Sequence, residues 1–502
     1  MKKALALLLV LGFLFSLSAC ATSNPTSAAP SKPVEITVAF QVFPNSLDTL
    51  AEDTTCGLTI ANDVYDHLFI RGVDNKLTPN VAKSVKQIDS TTWQFEIDTS
   101  FVFQNGDKMT MDDVVWSIMH LRDVPKTADI GKAVADVTYS GTTLTLKAVK
   151  ADNSILPKII DKTLIYNKAY ITKNGADAIT KNPIGTGPYK VTSFTPGTTV
   201  VMEAWSGYPF KQPQITKINY IGIPEDGSRY IAVETGKAQY ATLVSSMEVG
   251  LAEKNDKLSV LKQDSLSNNC FDFNCEKAPF NDVNVRRALA YAFDRDSFCA
   301  LNGGRPPVVG LAFFGYKDLY SIPDAFPTYD LEKAKQLLAD AGYNASNPLK
   351  FELVYWTKEP GLELYQSSLK SIGVEMSLKQ VEFSLYLTME SSGDFTMFWT
   401  SQTNKYGTPL SDLDRFDSAL IGTRDISRYK NDKVDALIAQ MRIAPESELK
   451  GLADQICQYL AEDVPMFGGF LRPLYCVMDK NLTGVVLRGD MQQSFRFATY
   501  NA

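Results

Sequence analysis

Between Leu349 and Leu378 the apolar period of the chain changes twice, and this restricts the fold more than any other feature of the sequence. Leu349, Phe351, Leu353 and Tyr355 recur at every second residue, as on a strand with one buried face. Leu362, Tyr365, Leu369 and Ile372 then recur at helical spacing, and Val374, Met376 and Leu378 alternate again. Gly373 stands where the helix must stop, a position that favours a residue free to take positive φ. Strand, helix and strand in that order form a crossover unit, so this half is predicted to be α/β with a parallel element in its sheet.

Other segments supply further elements. Ile36, Val38 and Phe40 alternate with Glu35, Thr37 and Ala39, which predicts a first strand. Helical spacing is read from Ile60 to Phe69, strands at Trp93–Ile97 and Phe101–Gln104, and a turn at Asn105-Gly106. Thr110 precedes Asp112, Asp113 and the run Val114-Val115-Trp116, the pattern of a capped helix with acids in its first turn. Two adjacent helical residues point in different directions, so these aspartates fit a helix N-terminus better than a catalytic or metal pair. Ile184 to Tyr189 reads Ile-Gly-Thr-Gly-Pro-Tyr. It lacks both the Gly-Lys-Ser/Thr ending of a phosphate loop and the third glycine of a dinucleotide fingerprint, which leaves a turn before the strand Lys190–Phe194. Asp330 is positioned to cap a helix carrying Leu331, Ala334, Leu338 and Ala341.

The chain begins with Lys2 and Lys3, an apolar run from Ala4 to Leu17, and Leu17-Ser18-Ala19-Cys20, which resembles the lipobox of a bacterial lipoprotein. The apolar run is shorter than the roughly 18 residues needed to span a bilayer. The resemblance implies a signal peptide over 1–19, cleavage before Cys20, a lipid on that cysteine, and a location outside the cytoplasm on the cell membrane. Residues 21–32, mostly Ser, Thr, Ala and Pro, read as a flexible tether. The remaining body of about 480 residues is too long for one hydrophobic core. Net charge is -7, and loss of Lys2 and Lys3 makes it -9, which disfavours nucleic acid as a partner. Cys56, Cys270, Cys275, Cys299, Cys457 and Cys476 allow one to three disulfides or buried free thiols, and show no zinc-ligand spacing.

Laid in order, the segments resemble the extracellular solute-binding proteins of ABC importers, in the large family that includes dipeptide, oligopeptide and nickel receptors. The resemblance is carried by Ser46-Leu47-Asp48, Tyr65-Asp66-His67-Leu68, Leu77 to Ala82, Phe103-Gln104-Asn105-Gly106, Asn182 to Tyr189, Ala278 to Val283, the helix Val285 to Arg295, and Val464-Pro465. It implies a two-lobed α/β fold with mixed sheets, hinged to close over a ligand and read by a membrane permease. Lobe I is expected at 33–268, lobe II at 269–479, with a return to lobe I over 480–502 and crossover strands near Asn269–Asn274 and Leu474–Met478. A monomer without cofactor or metal is expected. Arg286, Arg287 and Arg295 are read as surface or interdomain ion pairs.

The same resemblance implies the ligand contacts. Phe40, Gln41 and Val42 end the first strand, where backbone contacts are expected. Trp356 and Lys358 follow the strand ending at Tyr355, with Lys358 as a base for a ligand carboxylate. Phe398-Trp399-Thr400-Ser401-Gln402 matches a segment in which peptide receptors place an aspartate three residues after tryptophan to meet the peptide ammonium. Here that position is Gln402, which hydrogen-bonds but carries no charge. An ordinary dipeptide is therefore disfavoured, with Asp412 and Asp414 as alternative acids. Trp399, Ser401 and Tyr406 complete the candidate set. With two histidines, His67 and His120, the chain is poor in nickel ligands, and both are read as structural residues of first-lobe helices. The alternatives are a secreted hydrolase, for which no Gly-x-Ser-x-Gly or His-Glu-x-x-His set is present, and a surface sensor or adhesin on the same fold.

Overall fold

Strand β1 (Glu35–Phe40) forms where the alternation predicts it, with Ile36, Val38 and Phe40 buried on one face and Ala39 on the other. The computed structural model describes residues 33–501 apart from 53, 75, 309–319 and 405, so the leader, Cys20 and the tether lie outside the described residues. Nine further strands join β1 in one sheet among the described residues: β2 (Tyr189–Thr195), β3 (Thr199–Ala204), β4 (Lys217–Gly222), β5 (Tyr240–Ala241), β6 (Leu258–Phe273), β7 (Leu349–Tyr355), β8 (Val374–Gln380), β9 (Met397–Thr403) and β10 (Met466–Asp479). Their order is β8-β7-β9-β6-β10-β5-β1-β4-β3-β2. β1 pairs in parallel with β4 and β5, and β7 with β8 and β9, while the other ladders are antiparallel, so the sheet is mixed. The crossover read from the sequence is β7, the helix Gly361–Ser371 and β8, with Gly373 at φ 82° after the helix.

Two large hydrophobic cores lie along this sheet, with smaller clusters around Ala39, Tyr230 and Val477 and around Val354, Tyr386 and Phe398. One gathers Ile36, Phe40, Phe95, Tyr220 and the helix Thr55–Val64; the other gathers Phe271, Trp399, Phe467 and the helices Val283–Tyr291 and Gly361–Ser371. Among the described residues only β6 and β10 run through both large cores. Leu258–Asp264 of β6 pairs with Asp479–Pro473 of β10 in the first lobe, and Asn268–Asp272 pairs with Leu471–Met466 in the second. Between these ladders Ser265, Leu266 and Ser267 face the single residue Arg472. Three residues against one is a bulge that bends both strands at the same level. The bend precedes the crossovers expected at Asn269–Asn274 and Leu474–Met478, because the polar run Asp264-Ser265-Leu266-Ser267-Asn268-Asn269 gave no strand signal although most of it is buried.

Three expectations are corrected. The helix expected at Ile60–Phe69 is Thr55–Val64: Thr54 caps it by accepting from Gly57 N, Tyr65 is extended, and Phe69 opens a short strand. Phe101–Gln104 forms only an isolated pairing of Val102 with Lys108 around Gly106 at φ 91°. Among the described residues Arg286, Arg287 and Arg295 form no ion pair and instead donate to backbone carbonyls: Arg286 to Asp463 O and Phe280 O (2.8 and 2.7 Å), Arg287 to Glu462 O (2.8 Å), Arg295 to Gly468 O (3.3 Å). The bonds to Glu462 and Asp463 satisfy carbonyls at the end of the helix Glu446–Asp463, which have no partner within the helix.

The motifs behind the resemblance prove to be packing devices. A Cβ on Gly185 would lie 2.0 Å from Val64 O, and one on Gly187 would lie 2.5 Å from Asp63 O, so only glycine lets this turn press on the helix end. Gln104 Nε2 lies 3.0, 3.1 and 2.6 Å from the carbonyl oxygens of Val64, Gly187 and Tyr189, closing the same junction. Thr110 and Asp113 form a reciprocal capping box on the helix Met111–His120. All six described cysteines are free thiols, buried except for half-buried Cys275.

Candidate functional site

The bend in the two crossover strands forms one wall of a cavity of about 390 Å³ between the lobes. Ser265 and Ser267 of β6 and Arg472, Pro473, Leu474 and Tyr475 of β10 line it. The first lobe adds Gln41, Asp226, Leu243 to Ser246, and Met491; the second adds Asn302, Gly303 and Arg305. Leu243 and Met491 take φ of 49° and 69°, conformations that cost a non-glycine residue about 1–3 kcal/mol and concentrate at ligand sites. The bend itself is cross-tied: Ser267 Oγ lies 2.6 Å from Thr403 Oγ1, Leu266 N donates to Gly489 O (2.8 Å), and Asn404 N donates to Leu266 O (3.2 Å). A second cavity, about 80 Å³ and lined by Asn62, His67, Arg71, Asp161 and Arg488 among others, lies within the first lobe and is too small for a peptide-sized solute.

Of the nine residues the sequence nominated, Gln41 lines the interlobe cavity. Phe40 is buried in the first core against Tyr220, with its carbonyl taken by Ile223 N (2.8 Å), while Val42 is 58% exposed. Trp356 packs on Phe383 at 5.0 Å on the second lobe. Lys358 is exposed and paired with Glu363 (3.3 Å), away from the cavity lining. Trp399 is a core residue, with ring centroids 4.6, 5.3 and 5.5 Å from Phe271, Phe298 and Phe470. Ser401 is half-buried opposite Asn269. Tyr406 is half-buried at the seam between lobes; burial raises its phenol, and Lys162 and Asp161 of the first lobe lie in its field.

Gln402 is buried in a polar network. Its Nε2 donates to Asp272 Oδ2 (3.1 Å) and its Oε1 accepts from Arg415. The side chain that stands where peptide receptors place their aspartate is thus engaged on both of its polar ends. Sequence reasoning missed Asp272, although an acid between Phe271 and Phe273 in a buried strand was a legible signal. Burial pushes Asp272 up to about 6 against the opposing Arg415 charge. Asp414 pairs with Arg424, and Asp412, fully buried, is pushed up to about 7 by burial, with Arg415 opposing.

The raised Asp412 has a consequence for stability. Its folded-state proton affinity exceeds that of the unfolded chain, so the stability it contributes is present below the ordinary aspartate value near 3.9 and is lost as pH rises through about 7. Asp412→Asn is expected to stabilise the folded protein at both pH 5 and pH 8, and more at pH 8, by about 2–3 kcal/mol of unfolding free energy. An equal effect at both pH values would show that the carboxylate does not titrate in this range.

His67 follows the helix Thr55–Val64 instead of lying in it, and bonds Asn62 Oδ1 through Nε2 (3.1 Å). Burial and the neighbouring Arg488 charge push it down to about 4, which keeps the ring neutral. His120 ends its helix stacked on Trp116 at 4.5 Å. Both are packing residues of the first lobe.

Two lobes joined by two bent strands, with a cavity large enough for a small solute at the bend, define a binding protein of the hinged type. The model for bacterial extracellular solute-binding proteins, family 5, matches residues 76–422, and the chain belongs to that family. It is 26% identical to the nickel-binding protein NikA of Staphylococcus aureus over 80% of this chain and 81% of that protein. It is 25% identical to the glutathione-binding protein GsiB of Pectobacterium atrosepticum over 96% of each. The structure of HbpA2 from Haemophilus parasuis superposes with a TM-score of 0.83 at 19% identity, over 93% of this chain and all of that one, which shows a shared fold. The family places the protein outside the cytoplasm, and among the described residues no helix is long and apolar enough to cross a membrane.

Proposed function

We propose that this chain is a lipid-anchored receptor of an ABC importer that captures a peptide-like or other small organic solute between its lobes and presents it to a membrane permease. The observation that carries this reading is the interlobe cavity, walled by both lobes and by the bend of both crossover strands. A solute held there touches both lobes, and contacts available only when the lobes are together shift the open and closed populations. Family membership and relatives named for glutathione and nickel binding support a small-solute receptor over a hydrolase. In this reading Gln41 contacts the solute, the bends at Ser265–Ser267 and Arg472 act as hinge, and Cys20 carries the lipid. Ordinary dipeptides bind weakly, since Gln402 brings no charge and is held by Asp272 and Arg415.

The test uses protein prepared from its own host. Native mass spectrometry is expected to find one solute per chain, released unchanged on denaturation, and Cys20→Ser is expected to move the protein from the membrane fraction to the medium. Chemical turnover of the bound solute would overturn the receptor reading, and a Cys20→Ser variant that stays on membranes after a carbonate wash would overturn the anchor.

A further inference from the structure

Arg472 has an unusual position. It is the one residue of β10 that faces the three-residue bulge of β6, and it lines the interlobe cavity beside Ser265 and Ser267. A second arginine stands directly across from it. Pro307 bridges to Phe470 in antiparallel sense, Val308 N donates to Gly469 O (3.1 Å) and Leu471 N donates to Pro306 O (2.9 Å), a register that carries Arg305 opposite Arg472. Like charges directly opposite on paired strands destabilise each other. Arg305 is answered: its Nη1 lies 3.2 Å from both oxygens of Glu359, and its guanidinium sits over Phe470 at 4.6 Å. Asp226, the acid among the lining residues, is answered by Arg229 at 2.5 Å. Among the described residues no carboxylate is ion-paired with Arg472, whose proton affinity is lowered by burial and then by Arg305, with Glu359, already paired to Arg305, opposing from a distance.

Two guanidiniums that share the single carboxylate of Glu359, one of them half-buried without an ion pair of its own, are costly to the protein alone and are relieved by an anion in the cavity. A guanidinium matches a carboxylate in shape, offering two parallel N–H donors to two oxygens. The hydroxyls of Ser245, Ser265 and Ser267 line the same cavity and supply further donors. We propose that Arg472, backed by Arg305, anchors a carboxylate of the captured solute, so that the cavity selects peptide-like solutes with a free carboxylate over those whose carboxylates are blocked. This rests on the reading of the cavity as the capture site.

The test offers the unfolded-and-refolded, solute-free protein a casein hydrolysate, either untreated or methyl-esterified to neutralise its carboxylates, and reads captured masses by native mass spectrometry. The unmodified chain is expected to retain peptide from the untreated hydrolysate and about ten- to a hundredfold less from the esterified one. Arg472→Met should lose the untreated peptides by a similar factor, while Arg472→Lys, which keeps the charge without the fork, should recover part of the binding. Cooperative melting of the three solute-free proteins, with Arg472→Met at or above the parent midpoint, shows that folding is intact. Equal capture of esterified peptides, or undiminished capture by Arg472→Met, overturns the carboxylate anchor and leaves the receptor reading in place. Capture of nothing from either hydrolysate by the unmodified chain overturns the peptide-like receptor reading, and the anchor with it.

Discussion

Arg496→Met is expected to destabilise the first lobe by about 3–5 kcal/mol, because it leaves Asp66 charged, buried and without its counter-ion. Arg496 Nη1 lies 2.6 Å from Asp66 Oδ1, and its Nη2 donates to Asn62 O (2.9 Å) and Tyr65 O (3.0 Å). Asp66 is fully buried and Arg496 nearly so. Burial alone would raise the Asp66 carboxyl, but the Arg496 charge and the Asn80 amide outweigh it and hold the group below its ordinary value. The stability this pair contributes is therefore present above the ordinary aspartate value near 3.9 and is lost as pH falls below it. The arginine comes from the last segment of the chain and the aspartate from just past the helix Thr55–Val64, so the pair also ties the returning segment to the lobe. Chemical denaturation of Arg496→Met and of the double variant Asp66→Asn with Arg496→Met checks the argument. The double variant should be more stable than the single one, since it removes the orphaned charge. A single variant within about 0.5 kcal/mol of the parent would show that the pair contributes nothing net.

The sequence made the sheet legible wherever a strand had one wet face or a helix kept its period. β1 and the unit of β7, Gly361–Ser371 and β8 follow from spacing alone, because alternation is the signature of a half-buried strand. The bend of β6 was hidden for the converse reason: Ser265, Ser267, Asn268 and Asn269 are buried polar residues, and a polar run reads as a loop. The candidate site was less legible than the fold. Gln41 was reachable because it ends an obvious strand, but Arg305 and Arg472 acquire their meaning from a register between segments some 170 residues apart, which no local pattern encodes. Trp399 illustrates the limit from the other side. Its place in a matching segment nominated it for the ligand, yet β9 alternates, and the odd residue faces the Phe271 cluster.

Closure is expected to depend on a second set of contacts that never touches the cavity lining. Asn153 of the first lobe donates through its backbone to Arg442 O (2.7 Å) and through its amide to Met441 O (2.9 Å) and Ala444 O (2.6 Å), at the C-terminal end of the second-lobe helix Asp432–Met441. Arg442 in turn reaches back to Asp152 (3.5 Å) and also holds Asp417 of its own lobe (3.1 Å). Carbonyls at a helix end lack partners within the helix, so a donor from the opposite lobe satisfies groups that water must serve when the lobes part. Removing both partners with Asn153→Ala and Arg442→Ala deletes two side-chain hydrogen bonds and one ion pair across the seam. At about 1 kcal/mol each, this reduces the closed population and weakens solute affinity by about ten- to a hundredfold. The loss should fall on the dissociation rate, because the cavity wall itself is unchanged. Small-angle scattering with the solute identified by native mass spectrometry is expected to show a larger radius for the double variant at the same solute concentration, returning to the parent value at saturation. Unchanged affinity together with an unchanged scattering profile would remove this seam from the closing mechanism and leave the energy of closure to the cavity contacts alone.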